Sequence, residues 1–178
     1  NGIRCVAKYV YDYGLTDKTS ISVETKGGMK YLDLTVEDGK VRMVKVNMGS
    51  PILNPAQIPI LSEKERFVDE PVEVDGTVYR MTGVSMGNPH VVTFVEDTSS
   101  LDLEKIGPCF ENHKLFLKRI NTEFVQVLND HEINMRVWER GSGETLACGT
   151  GTCASAVACV LNGKTKEHLT VHLLGGDL

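Results

Sequence analysis

Within "GETLACGTGTCASAVACVLNG", residues 143–163, Cys148 stands directly before a glycine-rich turn that opens an apolar, helix-forming run. The first N–H groups of a helix have no intrahelical partner and carry positive partial charge. Gly149 and Gly151 let the main chain approach a bound group closely. Such a helix start can hold an anion such as a carboxylate. It also favours thiolate over thiol: a free cysteine titrates near about 8.5, and one so placed falls to about 3.5–7.5. Cys148 is therefore expected to act as a base or nucleophile at neutral pH. The competing reading, a small buried hydrophobe, suits Cys109, Cys153 and Cys159 better.

Other chemistries fit less well. "GTGTCA" matches a GxGxxA dinucleotide fingerprint, but that needs a βαβ unit with an acidic residue ending the second strand. Glu167 precedes its strand-like run, "HLTVHLL", instead. No GK[ST] follows, which excludes a Walker loop. There is no CxxC pair, and His168 and His172, four residues apart on a strand, lie about 13 Å apart, too far to share zinc. A cysteine acyl-transferase or hydrolase needs a histidine beside the thiol; His90 is the one plausible candidate, and no third residue is evident. Neither a cofactor nor a metal is expected.

Composition agrees with an ordinary globular protein of one or two small domains. The 178 residues are 41% hydrophobic and 24% charged, with net charge −5 and mean hydropathy −0.13. That acidic balance argues against a nucleic-acid partner, and no apolar run approaches the roughly 18 residues of a membrane span. An odd number of cysteines, five, argues for reduced thiols in a reducing compartment rather than a disulfide scaffold.

The elements that must position Cys148 can be read in order. Residues 1–14 have helical length and stop at Gly14. "SISVETKG" and "KYLDLTVEDGKVRMVKVNMG" alternate as strands, with Asp38-Gly39 turning a hairpin. "PILNPAQIP" reads as a linker or crossing between domains. A second hairpin turns at Asp75-Gly76, and "NPHVVTFVED" reads as a turn into a buried strand. "LDLEKIGPCFENH" reads as a short helix broken at Gly107-Pro108. "TEFVQVLNDHEINMRVWERG" is a hairpin around Asn129-Asp130.

An internal repeat organises these elements. Asn1–Ala7 lies over Thr150–Ala156, and Gly2 stands as far from Gly14 as Gly151 does from Gly163. With one gap, "SISVETKGGM" then matches "HLTVHLLGGD", setting Val23 on Val171 and Gly27-Gly28 on Gly175-Gly176. Because Cys148-Gly149 precedes Thr150, the repeat predicts a Cys-Gly before Asn1, and with it a fragment of a longer protein. Two mirrored cysteines at two helix starts suggest a reaction. One removes a proton from a carbon next to a carboxylate, and the other returns a proton to the opposite face. The pair must be one thiolate and one thiol, titrating together, with helix N–H groups stabilising the developing charge.

At this point the residues resemble a known family, the diaminopimelate epimerases. The stretches that carry the resemblance are "NGIRC" at 1–5, "MGNPHVV" at 86–92, "NTEFVQV" at 121–127 and "WERGSGETLACGTGTCASAVA" at 138–158. They occur in the family's order, and the resemblance covers essentially the whole chain. The resemblance implies an α/β (α+β) fold of two pseudo-symmetric domains, each of strands wrapped round a central helix. Here that would be an incomplete N-terminal domain, 1–47, and a C-terminal domain, 48–178, lacking its last strands. It implies a cofactor-independent isomerase that interconverts L,L- and meso-diaminopimelate in lysine and peptidoglycan biosynthesis, in the cytoplasm.

Residue by residue, the resemblance implies that Cys148 takes the α-proton of the L,L-isomer. Gly149 and Thr150, with Asn1 from the other domain, would bind the carboxylate at the reacting centre. Glu139 would hold the α-ammonium and tune the cysteines. Asn88, Asn121 and Arg140 would recognise the distal amino-acid end, and His90 is a nearby accessory group. The expected partner is the small-molecule substrate, with a homodimer left open. Two alternatives stay open on the sequence: a proline or hydroxyproline racemase-like isomerase, and an inactive fragment, since the first catalytic cysteine of the family is absent from this chain. Simpler roles also exist for single residues: a turn former at Asn88, a strand-edge residue at Asn121, a solvated ion pair at Glu139-Arg140 and a helix cap at Asn1.

Overall fold

The computed structural model describes residues 2–25 and 28–178. The chain divides into two compact units, Asn1–Gly49 and Ser50–Leu178. In the first, helix α1 (Gly2–Asp12) packs on a three-stranded antiparallel sheet of β1 (Ser20–Thr25), β2 (Gly28–Glu37) and β3 (Lys40–Asn47), in that order. Alternation along β2 sends Leu32 and Leu34 inward to meet Ala7 of the helix and Val41 of β3, the period-2 pattern expected of a half-buried sheet. The Asp12 carboxylate ties the end of α1 to β3. It accepts hydrogen bonds from Lys8 Nζ at 2.7 Å and from Val41 N at 2.8 Å, and the Lys8 bond, followed by Val41, holds its carboxyl below the usual range.

The second unit is a mixed eight-stranded sheet with helices on both faces. Its strands are β4 (Glu70–Val74), β5 (Thr77–Ser85), β6 (Pro89–Phe94), β7 (Asn121–Asn129), β8 (Glu132–Glu139), β9 (Gly143–Thr145), β10 (Thr170–Leu173) and β11 (Gly176–Asp177). The path runs β11-β10-β8-β7-β6-β5-β4, with β9 beside β8. The β6–β7 and β10–β8 pairs are parallel and the rest antiparallel. Helix α2 (Leu103–Glu111) lies over one face, where Phe110, Phe124, Ile120 and Trp138 form the core. Helix α3 (Gly149–Leu161) packs against β5, β6, β7 and β8. Its inward positions are small, Gly151, Ala154, Ser155 and Ala158 among them. Small side chains at this helical spacing let the helix axis come close to the strands. With both faces covered, β6 and the first half of β7 are buried at every residue from Pro89 to Thr93 and from Asn121 to Val125.

Two sequence expectations are corrected. "PILNPAQIP" does follow the boundary between the two units, as a crossing would, but it is not a loose linker: Asn54 caps a 3-10 turn over Pro55–Gln57, and Ile58 and Ile60 are buried in the second unit's core. Nor does Gly107-Pro108 break α2, which runs through both. Pro108 forfeits one helical hydrogen bond, but Asp102 caps the first turn and Asn112 closes the last. Gly107 is there for the tryptophan. A Cβ at 107 would lie 2.2–2.6 Å from Trp138 ring atoms. The repeat is visible locally. Each copy is a helix followed by a left-handed glycine (Gly14 φ 73°, Gly163 φ 63°) and a strand that turns into a hairpin at a second one (Gly28 φ 94°, Gly176 φ 115°). Gly27 lies outside the described residues.

Gly107→Ala is expected to force α2 off the indole and to cost about 1–3 kcal/mol of overpacking. Trp138 is the only tryptophan, so its fluorescence during urea unfolding reads the loss directly. An unchanged midpoint would show that α2 can shift freely.

Candidate active site

Cys148 is the N-cap of α3, with extended backbone (φ −130°, ψ 109°). The Gly151 N–H donates to its Sγ at 3.4 Å, and the Thr150 hydroxyl lies 3.5 Å from Sγ. The loop before it is held from the far side by the β10–β11 hairpin, where Gly175 N donates to Leu146 O at 2.8 Å. The cysteine is 6% exposed. That burial decides its acidity: the thiol is pushed up from 9.0 to about 11, by desolvation first and the negative charge of Glu123 second, against the Thr150 and Gly151 hydrogen bonds. The expected thiolate at neutral pH is thus corrected. Burial holds the Cys148 proton more tightly than the helix start loosens it.

The sheet brings other residues named from the sequence to the same end of α3. His90 on β6 is fully buried; its Nε2 is 3.1 Å from Asn88 Oδ1, and Asn88 Nδ2 donates to Thr150 Oγ1 at 3.2 Å. Glu139 ends β8 and accepts from the Thr145 hydroxyl at 2.5 Å; it is the smallest of the influences raising the Cys148 thiol. Asn121 is used within the protein at both ends of its amide: Nδ2 donates to Pro89 O at 2.7 Å and Oδ1 accepts from Arg140 N at 2.9 Å. The Arg140 guanidinium donates to Lys118 O at 2.8 Å. Gly149 opens the helix, and no atom lies within 4 Å of where its Cβ would be. Asn1 lies outside the described residues.

Two acidic residues escaped the sequence reading. Glu123, on β7, is fully buried with Oε1 2.7 Å from His90 Nδ1. Its signal was a carboxylate in the middle of a strand whose neighbours Thr122, Phe124 and Val125 are all buried. Glu111, at the end of α2, accepts from Trp138 Nε1 at 2.8 Å, Arg119 Nη1 at 2.8 Å and Gly141 N at 3.0 Å. It pins the turn that carries Arg140. Among the described residues no cluster of three or more His, Cys, Asp or Glu could hold a metal ion, and no helix is long and apolar enough to cross a membrane.

This architecture is that of a racemase and epimerase fold. The chain superimposes on a hydroxyproline epimerase from Agrobacterium vitis, solved with trans-4-hydroxy-L-proline, with a TM-score of 0.72 over 99% of this chain and 56% of the other. A probable proline racemase from Agrobacterium radiobacter gives 0.71 over 98% and 56%. At 13% identity in both cases, these likenesses show the fold alone. Sequence goes further: the family model described as diaminopimelate epimerase matches residues 82–178, and the chain belongs to that family. Diaminopimelate epimerases of Agathobacter rectalis and Acetivibrio thermocellus are each 60% identical across all of this chain, and that of Methanococcus maripaludis is 55% identical. The chain spans 64–65% of the length of these relatives. The racemase-like alternative is supported here by similarity of fold alone.

A thiol whose folded pKa is raised binds its proton more tightly in the folded than in the unfolded chain. Burial pushes both Cys148 and Cys159 to about 11, so their contribution to stability is complete below about pH 8.5 and is lost as the pH rises through 11. Urea midpoints are expected to fall over that interval. Iodoacetamide alkylation of Cys148, followed on its peptide by mass spectrometry, should keep accelerating past pH 10. A plateau by pH 9 would mean that the helix start prevails over burial after all.

Proposed function

We propose that this chain is the part of a diaminopimelate epimerase that carries one of its two bases, serving lysine and peptidoglycan synthesis in the cytoplasm. The observation that carries this is Cys148 at the N-cap of α3, in a chain 60% identical over its whole length to enzymes of that name. In this reading Cys148 Sγ removes the α-proton of L,L-diaminopimelate, breaking the Cα–H bond and leaving the electron pair on the α-carbon and its carboxylate. The facing base gives a proton to the opposite face, yielding the meso isomer. No atom beyond the two protons is exchanged.

The raised thiol pKa suits this chemistry. An α-proton beside a carboxylate is very weakly acidic, and a desolvated thiolate is a stronger base than one stabilised in water. The thiolate becomes available when the substrate's α-ammonium, held by Glu139, enters beside Sγ. The reacting carboxylate would take the free N–H groups of Gly149 and Thr150, and Asn1 is the further residue proposed to bind it. Asn88, Asn121 and Arg140 would select the distal amino-acid end, and His90 would support Asn88. A homodimer is compatible with this scheme.

The test is deuterium uptake from D2O into L,L-diaminopimelate by the protein as encoded, under reductant, with the stereoisomers followed in parallel. Exchange with inversion is expected, and Cys148→Ala should reduce it at least about a thousandfold, as loss of a reacting base does. Activity on proline in place of diaminopimelate would overturn the substrate assignment.

A further inference from the structure

Arg140 is held from both of its ends. Its main-chain N–H donates to Asn121 Oδ1 at 2.9 Å, and its Nη1 donates to Lys118 O at 2.8 Å. Nε and Nη2 donate to no acceptor among the described residues. The segment that enters β7, 118–121, and the turn that leaves β8, 139–141, thus meet at this one side chain. A third element joins them. Glu111, the last residue of α2, is 5% exposed, and its Oε1 accepts from both segments: from Arg119 Nη1 at 2.8 Å and from Gly141 N at 3.0 Å. Its Oε2 accepts from Trp138 Nε1 at 2.8 Å. Both carboxyl oxygens therefore face donors, and three donors from three directions fix where the group lies.

These bonds close a ring from Glu111 through Gly141, Arg140, Lys118 and Arg119 back to Glu111. The carbonyl in that ring is set by an uncommon backbone. Arg119 has φ 57°, a left-handed conformation that a residue with a side chain adopts at a cost. That angle sets the preceding peptide, whose oxygen is the Lys118 O that accepts from Arg140. The ion pair with Glu111 opposes relaxation of this backbone. Because Arg119 is exposed, the pair adds little to stability, and its effect is on direction. A guanidinium takes a carboxylate side by side only when its plane is fixed, and an arginine already ordered loses less freedom on binding. We propose that Glu111 is a positioning residue for substrate specificity: through Arg119 and Gly141 it holds the Arg140 guanidinium in the orientation that grips the distal carboxylate of the substrate. This role rests on the reading of Arg140 as a contact for the distal end of diaminopimelate. It acts on binding of that end and not on proton transfer at Cys148.

The test uses the complete protein. Glu111→Gln keeps the size of the side chain and one acceptor, and removes the charge and the second acceptor. KM for L,L-diaminopimelate should rise about tenfold, the scale of one hydrogen bond to a charged group. Both kcat and the rate of Cys148 alkylation by iodoacetamide should stay within about threefold of wild type. Arg140→Met shows whether the effect passes through the guanidinium. In that background Glu111→Gln should change kcat/KM by less than about twofold. A loss of equal size in both backgrounds overturns the proposal. So does a kcat or an alkylation rate that falls as far as KM rises, since general packing would move all three. If Glu111→Gln does not fold, Arg119→Gln takes its place, because that side chain is 55% exposed. It should raise KM at least about threefold and have no effect beside Arg140→Met; an unchanged KM overturns the proposal. Phenylglyoxal modification of Arg140, followed on its peptide with Arg42 as reference, needs no turnover. Either variant should speed it at least about threefold by freeing the guanidinium, and an unchanged rate overturns the hold of Glu111 on Arg140. A protein that turns over no diaminopimelate sinks the epimerase reading, while the phenylglyoxal rates still decide that hold.

Discussion

The contact on which the second unit depends is between a helix and a carboxylate. A Cβ on Gly151 would lie 2.5 Å from Glu123 Oε1 and 3.3 Å from Cys148 Cβ, so the first turn of α3 can sit where it does only because residue 151 has no side chain. That proximity sets the depth of the helix against β7 and with it the position of the N-cap cysteine. It also puts a carboxylate against the positive end of a helix, where negative charge is favoured. Other small residues continue the fit: Ser155 donates to Met135 Sδ at 3.1 Å, and Asn162 closes the far end on Thr82 at 2.9 Å.

Burial and the helix terminus act on Cys148 in opposite senses, and their balance is informative. A solvent-exposed cysteine at such a terminus would be acidic. Here the same packing that fixes the sulfur also removes water from it, and desolvation dominates. The helix terminus lowers the cost of a charge on the sulfur, but by less than the loss of water raises it.

Local elements were legible in the sequence where one rule governed each residue. The helix ending at Gly14, the Asp38-Gly39 and Asp75-Gly76 hairpins and the N-cap at Cys148 all follow from short-range chemistry. The errors came where a distant partner decided. Gly107-Pro108 reads as a break until Trp138 is seen against Gly107, and "PILNPAQIP" reads as a linker until Ile58 and Ile60 are seen inside the core. Glu123 was passed over because strand alternation says only that a residue faces inward, not that a histidine on the next strand faces it. In parallel pairing Val92 is opposite Glu123 and His90 opposite Asn121, so the His90–Glu123 contact is diagonal and invisible to any pattern within one strand. The acidity of Cys148 was misjudged for the same reason: a motif shows the helix start but not the depth at which it lies.

The distribution of rigidity follows from where these groups sit. Glu123, His90 and Cys148 lie on β7, β6 and the cap of α3, in the most buried part of the sheet. Glu139, Arg140 and the turn after them lie at the end of β8, half buried, and are held by main-chain bonds from Asn121 and Glu111. Elements packed on both faces hold a sulfur to a fraction of an ångström, whereas a tethered turn can differ in length and residue type without disturbing them. Glu123, His90 and Cys148 thus belong to the part of the fold least open to change, and Glu139 and Arg140 to a part more open to it. Asn121 joins the two, since its single amide bonds both the start of β6 and the Arg140 backbone. A change of residues at that turn can therefore leave β6 and Cys148 undisturbed only while Asn121 keeps both bonds.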